Sequence, residues 1–240
     1  DLRSQKIQGI EALMRWHHPE KGCIAPSQFL ATAEKLNLME EIELWSLKEA
    51  CSQFKAWQDD FLFLKNTSIH INISSNYFHQ QEFIKQVQAT LEKTNLASPA
   101  LKLDITEEIL MAKEDTAQNV LEDLEALGVK ICLDDFGVGY SSLSYLSEFP
   151  IHDLKIDNSL IQEIDTETIG NKNRQILKAI ASLCNNLNIS AIAEGVETQD
   201  QCLILAICGY QTAQGHHFCQ PLSAEDMTTF LEQLSAQSRC

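Results

Sequence analysis

The feature that most constrains the fold of this chain is the alternation of short apolar stretches with longer amphipathic patterns along its length. Seven stretches have the composition of strands, and they lie at residues 6–15, 68–74, 101–106, 129–134, 152–157, 189–194 and 211–214. Strands that alternate with helices predict a mostly parallel sheet covered by helices. Both a doubly wound sheet and a (β/α) barrel fit this pattern, although seven strands are one fewer than the closed eight-stranded barrel needs.

Helical patterns lie between most of the predicted strands, at residues 39–57, 83–95, 117–128 and 173–188. In these segments the apolar residues recur at the spacing of one helix face. Gly128 ends the third pattern, at a position where a left-handed C-terminal cap is expected. The acidic run MEEIE at 39–43 is interpreted as the solvated face of its helix.

The predicted strands carry polar side chains on one face, although strands buried on both faces should be almost wholly apolar. In the first strand a period of two places Glu11 and Arg15 on the same face. Further polar residues lie near the carboxyl ends of other strands: Asn72, Asp104, Asp134, Asp135, Lys155, Asp157 and Glu194.

Any single case has a simple structural explanation. An edge strand with a solvated face accounts for Glu11 and Arg15, and an acidic residue after a strand is usually a turn former or the N-cap of the next helix. Five or more converging strand ends are not explained in this way, because gathered carboxylates repel each other unless cations neutralise them. The carboxyl ends of the strands are also where barrel enzymes place their chemistry.

Carboxylate and amide oxygens are hard ligands suited to Mg²⁺ or Mn²⁺. The adjacent Asp134 and Asp135 could hold two such ions, which together clamp the attacking and leaving oxygens of a phosphoryl displacement. Lys155 and Arg15 would then contact phosphate oxygens. The residues alone therefore indicate a metal-dependent hydrolase that acts on an anionic, phosphorylated substrate.

The composition excludes several other classes of function. A formal charge of −16 argues against binding to polymeric nucleic acid through a positive surface. The eight cysteines form no Cys-x-x-Cys pair, which predicts the reduced thiols of a cytosolic protein rather than a disulfide framework or a zinc site. The sequence has no signal peptide and no apolar run of membrane-spanning length, and it opens at Asp1 without a methionine. We therefore expect a domain excised from a longer protein.

Short motifs follow one another along the chain: EALMRW at 11–16, NIS at 72–74, DITE at 104–107, DDFGVGYSSL at 134–143, LKID at 154–157, AEGVE at 193–197 and QG at 214–215. In this order and spacing they resemble the EAL domain of bacterial cyclic-di-GMP phosphodiesterases. The resemblance covers residues 1–240 as one domain and implies an α/β fold, a modified TIM-type (β/α) barrel with an antiparallel first strand. That strand, with its QPI motif, is expected to be missing from this chain.

The resemblance also implies an activity, the metal-dependent hydrolysis of one phosphodiester bond of cyclic di-GMP to give linear pGpG. The ligands that it implies for two Mg²⁺ or Mn²⁺ ions are Glu11, Asn72, Asp104, Asp134 and Asp135. Lys155 would position the attacking water or help to deprotonate it, and Glu194 would serve the second metal or act as general base. The substrate-binding residues that it implies are Arg15, Leu13, Asp157, Glu197 and Gln214. Glu107 would steady the loop that follows DDFG.

Two residues depart from the family pattern and keep a second interpretation open. Asp104 stands where the family usually has glutamate, and Val138 replaces the usual threonine of the DDFG loop. A catalytically weak or inactive module that binds cyclic di-GMP as a receptor is therefore the alternative to the enzyme.

The resemblance extends to the assembly in which the domain works. It implies a homodimer, with Phe136 and Tyr140 of the segment FGVGYSSLSYL as packing or dimer residues. An adjoining sensory or GGDEF-type domain is expected in the full-length protein. The expected location is the bacterial cytoplasm, whether or not the parent protein is anchored to a membrane.

Overall fold

The computed structural model describes residues 1–112, 114–137, 145–162, 164 and 172–237. Within them, seven strands form one sheet in chain order, and every neighbouring pair is parallel. With a separate hairpin, the strands are β1 (Gly9–Ala12), β2 (Trp16–His18), β3 (Gly22–Ile24), β4 (Ser68–Asn72), β5 (Leu101–Thr106), β6 (Lys130–Phe136), β7 (Asp153–Ile156), β8 (Ser190–Ala193) and β9 (Thr212–Ala213). The seven-stranded sheet confirms each of the seven predicted strands.

The first strand is shorter than the predicted 6–15. Its partner is β4, and the pairing runs from Gly9 opposite Ser68 to Ala12 opposite Ile71. The chain then leaves the sheet, and β2 pairs with β3 in an antiparallel hairpin that the sequence pattern did not predict. Residues 13–15 therefore follow the strand instead of continuing its inner face.

The sheet curls until its two edges, β1 and β9, approach each other. Gln214, just after β9, donates a 2.5 Å hydrogen bond from Nε2 to Oε2 of Glu11 on β1. Near the opposite end, the Leu2 amide donates a 2.8 Å hydrogen bond to the Gln211 carbonyl. No described residue adds an antiparallel strand to this sheet. The fold is an α/β architecture in which seven parallel strands and their helices form a TIM-type barrel.

The helices are α1 (Pro26–Lys35), α2 (Met39–Asp60), α3 (Ser75–Phe78), α4 (Phe83–Thr94), α5 (Glu107–Ala112), α6 (Glu114–Leu127), α7 (Tyr145–Glu148), α8 (Asn158–Gln162), α9 (Lys172–Leu187), α10 (Gln199–Cys208) and α11 (Ala224–Gln237). The four predicted helical segments are confirmed as α2, α4, α6 and α9. Gly128 follows α6 with φ of +81°, which confirms the predicted left-handed cap. Across the described parts of the chain, none of the helices has the length and apolar character needed to cross a membrane.

The two faces of the strands have opposite character. Apolar side chains such as Ile71, Leu103 and Leu154 are fully buried in the core that the sheet shares with its helices. The other face lines the inside of the barrel, and its buried polar residues and thiol are Ser68, His70, Asp104, Cys132, Asp153 and Lys155. TIM barrels usually fill this space with branched apolar residues. The polar interior is therefore a specific feature of this chain.

Candidate active site

Lys155 of β7 is the centre of the polar cluster, and its side chain is only 1% exposed. Its Nζ lies 2.9 Å from Asp104 Oδ2, 3.0 Å from Glu194 Oε1, 3.2 Å from Glu11 Oε1 and 3.4 Å from Asp134 Oδ2. These acids come from β5, from the end of β8, from β1 and from β6. The structure thus brings together the charged strand ends that the sequence singled out. We call Lys155 and these four acids the acid cluster.

The acid cluster contains more negative than positive charge. Four carboxylates face one ammonium, which leaves a formal excess of three negative charges. Burial alone would lower the pKa of Lys155, but attraction to the carboxylates outweighs burial and raises that pKa above its usual value. Burial raises the pKa of Asp134 and raises that of Glu194 to about 7, despite the neighbouring ammonium. A cation that entered the cluster would relieve this excess.

The adjacent Asp134 and Asp135 reach the same site because β6 is irregular there. The pairing of β6 with β7 shifts register between Leu133 and Phe136, as in a β-bulge, and Asp135 has φ of +55°. In a regular strand, neighbouring side chains point to opposite faces. The bulge re-aims Asp135, so that its carboxylate, that of Asp134 and that of Glu194 lie within 4.8 Å of one another.

Glu11 is held in place by three neighbours. Its Oε1 accepts a 2.8 Å hydrogen bond from Asn72 Nδ2 and faces Lys155, while its Oε2 accepts from Gln214 Nε2. Oxygens of Glu11, Asp104 and Asp134 lie within 4.8 Å of one another. These three carboxylates form a second group that could hold a divalent ion.

Asp104 lies deeper than the other acids and is 1% exposed. His70 Nδ1 lies 2.9 Å from its Oδ1, and the Lys155 ammonium lies opposite its Oδ2. Burial alone would raise the pKa of Asp104, but the hydrogen bond from His70 and the charge of Lys155 outweigh burial and lower that pKa. Sequence reasoning did not single out His70, and the available signal was its place two residues before Asn72 on the same strand face.

A large cavity opens beside the acid cluster. It has a volume of about 1480 Å³ and extends through the barrel interior from Lys102 and Asp153 to Glu11, Asp134, Lys155 and Glu194. Four of the predicted substrate-binding residues line the same cavity: Leu13, Arg15, Glu197 and Gln214. The Arg15 guanidinium donates a 2.7 Å hydrogen bond to the Met14 carbonyl, which fixes it near the mouth.

Two of the predicted site residues lie at the starts of short helices. Asp157 accepts a 2.9 Å hydrogen bond from the amide of Ser159, so that it caps the short helix α8 in the way common for an acid after a strand. Glu107 is the first residue of α5. The loop that Glu107 was expected to steady, with Val138 and Tyr140, lies outside the described residues. Phe136 is buried in the core, in agreement with its packing interpretation.

Glu43 is a residue that the sequence interpretation placed wrongly. It belongs to the acidic run 39–43, but it is 6% exposed and not solvated. Its two oxygens accept from the backbone amide of Ser74 at 2.8 Å and from the Ser74 hydroxyl at 3.0 Å. Glu43 therefore holds the turn just after Asn72, and its partner lies in a loop that no helical pattern can identify.

Several known proteins and one family model resemble this chain. The family model described as EAL domain matches residues 1–221. The chain is 37% identical over 236 residues to the signaling protein YkoW of Bacillus subtilis, covering 98% of this chain and 29% of that protein. It is 39% identical over 219 residues to the bifunctional diguanylate cyclase/cyclic di-GMP phosphodiesterase MucR of Pseudomonas aeruginosa, covering 91% of this chain and 31% of MucR.

A solved structure titled as the PaMucR phosphodiesterase in complex with c-di-GMP has the same fold. Its TM-score is 0.83 at 39% identity, with 90% of this chain and 86% of that chain covered. The chain spans about a third or less of the length of the two relatives named above. The family match, the relatives and the shared fold together show that the chain belongs to the EAL domain family.

Proposed function

We propose that this domain hydrolyses one phosphodiester bond of cyclic di-GMP and releases linear pGpG. The observation that carries the proposal is the acid cluster, in which four carboxylates face one ammonium at the carboxyl ends of the strands. Two features support the choice of substrate. The cavity beside the cluster has room for a dinucleotide, and relatives and a solved structure are named for this activity or this ligand.

The donor atoms suit two divalent ions with oxygen ligands. Glu11, Asp104 and Asp134 form one group, Asp134, Asp135 and Glu194 form the other, and Asp134 belongs to both. Asp104 Oδ2 is buried 2.9 Å from the Lys155 ammonium. Asn72 would add its amide oxygen to the first group. Bound Mg²⁺ or Mn²⁺ would supply an activated water and charge stabilisation for the phosphoryl displacement.

The residues of the chain would divide the remaining work. Lys155 remains protonated, because its carboxylate neighbours raise its pKa, so that it positions the attacking water and does not act as a base. Glu194 would serve either the second ion or, with a pKa that burial raises to about 7 in the absence of metal, the role of general base. Arg15 would bind a phosphate oxygen at the mouth of the cavity. Leu13, Glu197, Gln214 and Asp157 would contact the rest of the substrate and its water.

The second candidate is a receptor that binds cyclic di-GMP without cleaving it. Asp104 favours it, because both of its oxygens already face internal partners, His70 and Lys155. A carboxylate held in this way, one methylene shorter than glutamate, is a weaker metal ligand. The retention of Glu11, Asp134, Asp135, Lys155 and Glu194 favours the enzyme.

The assembly in which the domain works is also part of the proposal. We expect a homodimer. We also expect an adjoining sensory or GGDEF-type domain, because the name of the relative MucR includes a diguanylate cyclase. We expect the domain to act in the bacterial cytoplasm.

Incubation with cyclic di-GMP and Mg²⁺ or Mn²⁺, followed by chromatography of the products, tests the proposal. The enzyme predicts pGpG from the wild type and from the control Glu41→Gln, which changes an exposed acid on α2. Glu11→Ala should give none. Binding of cyclic di-GMP without pGpG in either metal would establish the receptor instead.

A further inference from the structure

Beneath the acid cluster, the barrel interior holds a third group of possible metal ligands, which includes nitrogen and sulfur as well as oxygen. His70, Asp104 and Cys132 are all buried, and their nitrogen, oxygen and sulfur atoms lie within 4.8 Å of one another. They come from the neighbouring strands β4, β5 and β6, with Asp104 directly opposite Cys132 in the register. From these positions we propose that His70, Asp104 and Cys132 form a binding site for one thiophilic divalent ion of the zinc class.

The donor set fits such an ion better than it fits Mg²⁺ or Mn²⁺. Imidazole nitrogen and thiolate sulfur are borderline or soft ligands, which select Zn²⁺ over the hard ions that carboxylates prefer. One nitrogen, one oxygen and one sulfur, with a fourth position for water, complete a tetrahedral zinc shell. His70 Nδ1 and Asp104 Oδ1 are already 2.9 Å apart, close to the roughly 3.3 Å that two ligands of a tetrahedral zinc ion would have.

The surroundings also suit an additional dication. Lys155 contacts Oδ2 of Asp104, which leaves Oδ1 directed toward His70 and fixes the orientation of the carboxylate. On binding, the S–H bond breaks, the sulfur–metal bond forms and the proton passes to solvent. Of the three ligands, His70 lines the large cavity, and Asp104 and Cys132 are buried next to it.

The site shares Asp104 with the oxygen ligands of the proposed active site. An ion bound to Asp104, His70 and Cys132 withdraws Asp104 from Mg²⁺ or Mn²⁺, so that Zn²⁺ inhibits hydrolysis by competing for this ligand. The metal site itself does not depend on hydrolysis, and a receptor without activity would contain it equally.

Co²⁺, which takes zinc sites and reports its ligands by absorption, is the direct probe. Titration of the wild-type domain should give the near-ultraviolet charge-transfer band of a thiolate bound to Co²⁺. The intensity of the band should correspond to one thiolate-bound ion per chain, and Zn²⁺ should remove the band. Cys132→Ser should abolish it. Cys184→Ser, which changes another buried cysteine, should leave it intact.

His70→Gln keeps a hydrogen-bond donor for Asp104 but removes the imidazole, and it should weaken Co²⁺ binding at least about tenfold. Circular dichroism establishes that each variant is folded, and Cys132→Ala replaces Cys132→Ser if the serine variant is not. No band in the wild type, a band that survives the loss of the Cys132 thiol, or unchanged Co²⁺ affinity in His70→Gln would overturn the assignment. None of these results depends on pGpG formation, so failure of this site and failure of the proposed activity are distinguishable.

Discussion

Two groups of buried charges lie inside the same barrel, and they differ in how their charges balance. Near the amino ends of the strands, Lys102 Nζ lies 2.7 Å from Asp153 Oδ2, one cation against one anion. Near the carboxyl ends, the acid cluster sets four carboxylates against the single ammonium of Lys155. The Lys102–Asp153 pair, which we call the lower pair, has no net charge. The acid cluster keeps an excess of negative charge until further cations bind. Charge balance thus distinguishes a structural ion pair from a functional site better than burial does.

The largest effect is expected from Lys155→Met, which leaves the buried Asp104 and the three partly buried acids of the cluster without their cation. The metal-free domain should lose about 3–5 kcal/mol of stability and all hydrolysis. Lys102→Met should also destabilise the domain, because it strands Asp153, but hydrolysis by the folded protein should persist. Urea unfolding with and without Mn²⁺ separates the two cases, since Mn²⁺ should restore stability to Lys155→Met alone. If Mn²⁺ restored the stability of both variants equally, the two groups of charges would not differ in their charge balance.

Glu11→Ala should abolish hydrolysis, with a loss of at least about a thousandfold, because a ligand of the proposed ions is removed. The metal-free variant should be at least as stable as the wild type, since one of the repelling carboxylates is gone. Product chromatography and thermal unfolding measure the two effects. Wild-type activity after metal stripping and refilling would refute the ligand role of Glu11.

The stability of the metal-free domain should fall as the pH rises. The pKa of Glu194 is about 7 in the folded state and about 4.5 when unfolded, so the folded state binds more protons between these values. Protonation of Glu194 in the folded state therefore contributes about 3 kcal/mol of stability below pH 4.5, and this contribution is lost as the pH rises through 7. Glu43, also with a pKa of about 7, contributes in the same direction.

Urea unfolding between pH 5 and pH 8 measures this slope. Glu194→Gln and Glu43→Gln should each reduce it, and saturating Mn²⁺ should remove the part that belongs to the acid cluster. A slope that is flat or rises with pH in the metal-free wild type would contradict the excess of negative charge.

The smallest effect concerns Asp104. Asp104→Glu should lower the Mn²⁺ or Mg²⁺ concentration at half-maximal rate by a few-fold, and Mn²⁺ should be favoured over Mg²⁺ in the wild type, because Mg²⁺ tolerates misplaced ligands poorly. His70 occupies the space beside Asp104 Oδ1, so the gain should be larger in His70→Ser/Asp104→Glu than the single changes predict. Metal titrations of the four proteins provide this comparison. An unchanged or higher midpoint in Asp104→Glu would show that the short side chain is already accommodated.

The parts of the site that could be predicted from sequence are those set by strand periodicity. Glu11, Asn72, Asp104, Asp134 and Lys155 lie on inner faces because alternate residues of a strand share a face, and parallel strands end at the same edge. The family resemblance was needed to propose a substrate, since spacing alone indicates only hard-oxygen metal chemistry.

The remaining parts depend on tertiary contacts that periodicity does not contain. Asp135 reaches the site through a bulge, and Arg15 approaches it from a segment beyond the end of β1. Glu43 is buried where its carboxylate accepts a hydrogen bond from the loop residue Ser74, although the neighbouring acids of its run 39–43 suggest a solvated helix face. Cys132 lacks a Cys-x-x-Cys partner, and only the packing of three strands places it beside His70 and Asp104.

The Mn²⁺ dependence of pGpG formation, measured for the wild type and for Lys102→Met/Asp153→Leu, tests the central claim most directly. The double variant replaces the lower pair with apolar side chains and leaves the acid cluster intact. The account predicts saturable, metal-dependent formation of pGpG with the same Mn²⁺ midpoint in both proteins. Absence of metal-dependent pGpG from the folded wild type, or a midpoint that shifts when only the lower pair is removed, would contradict it.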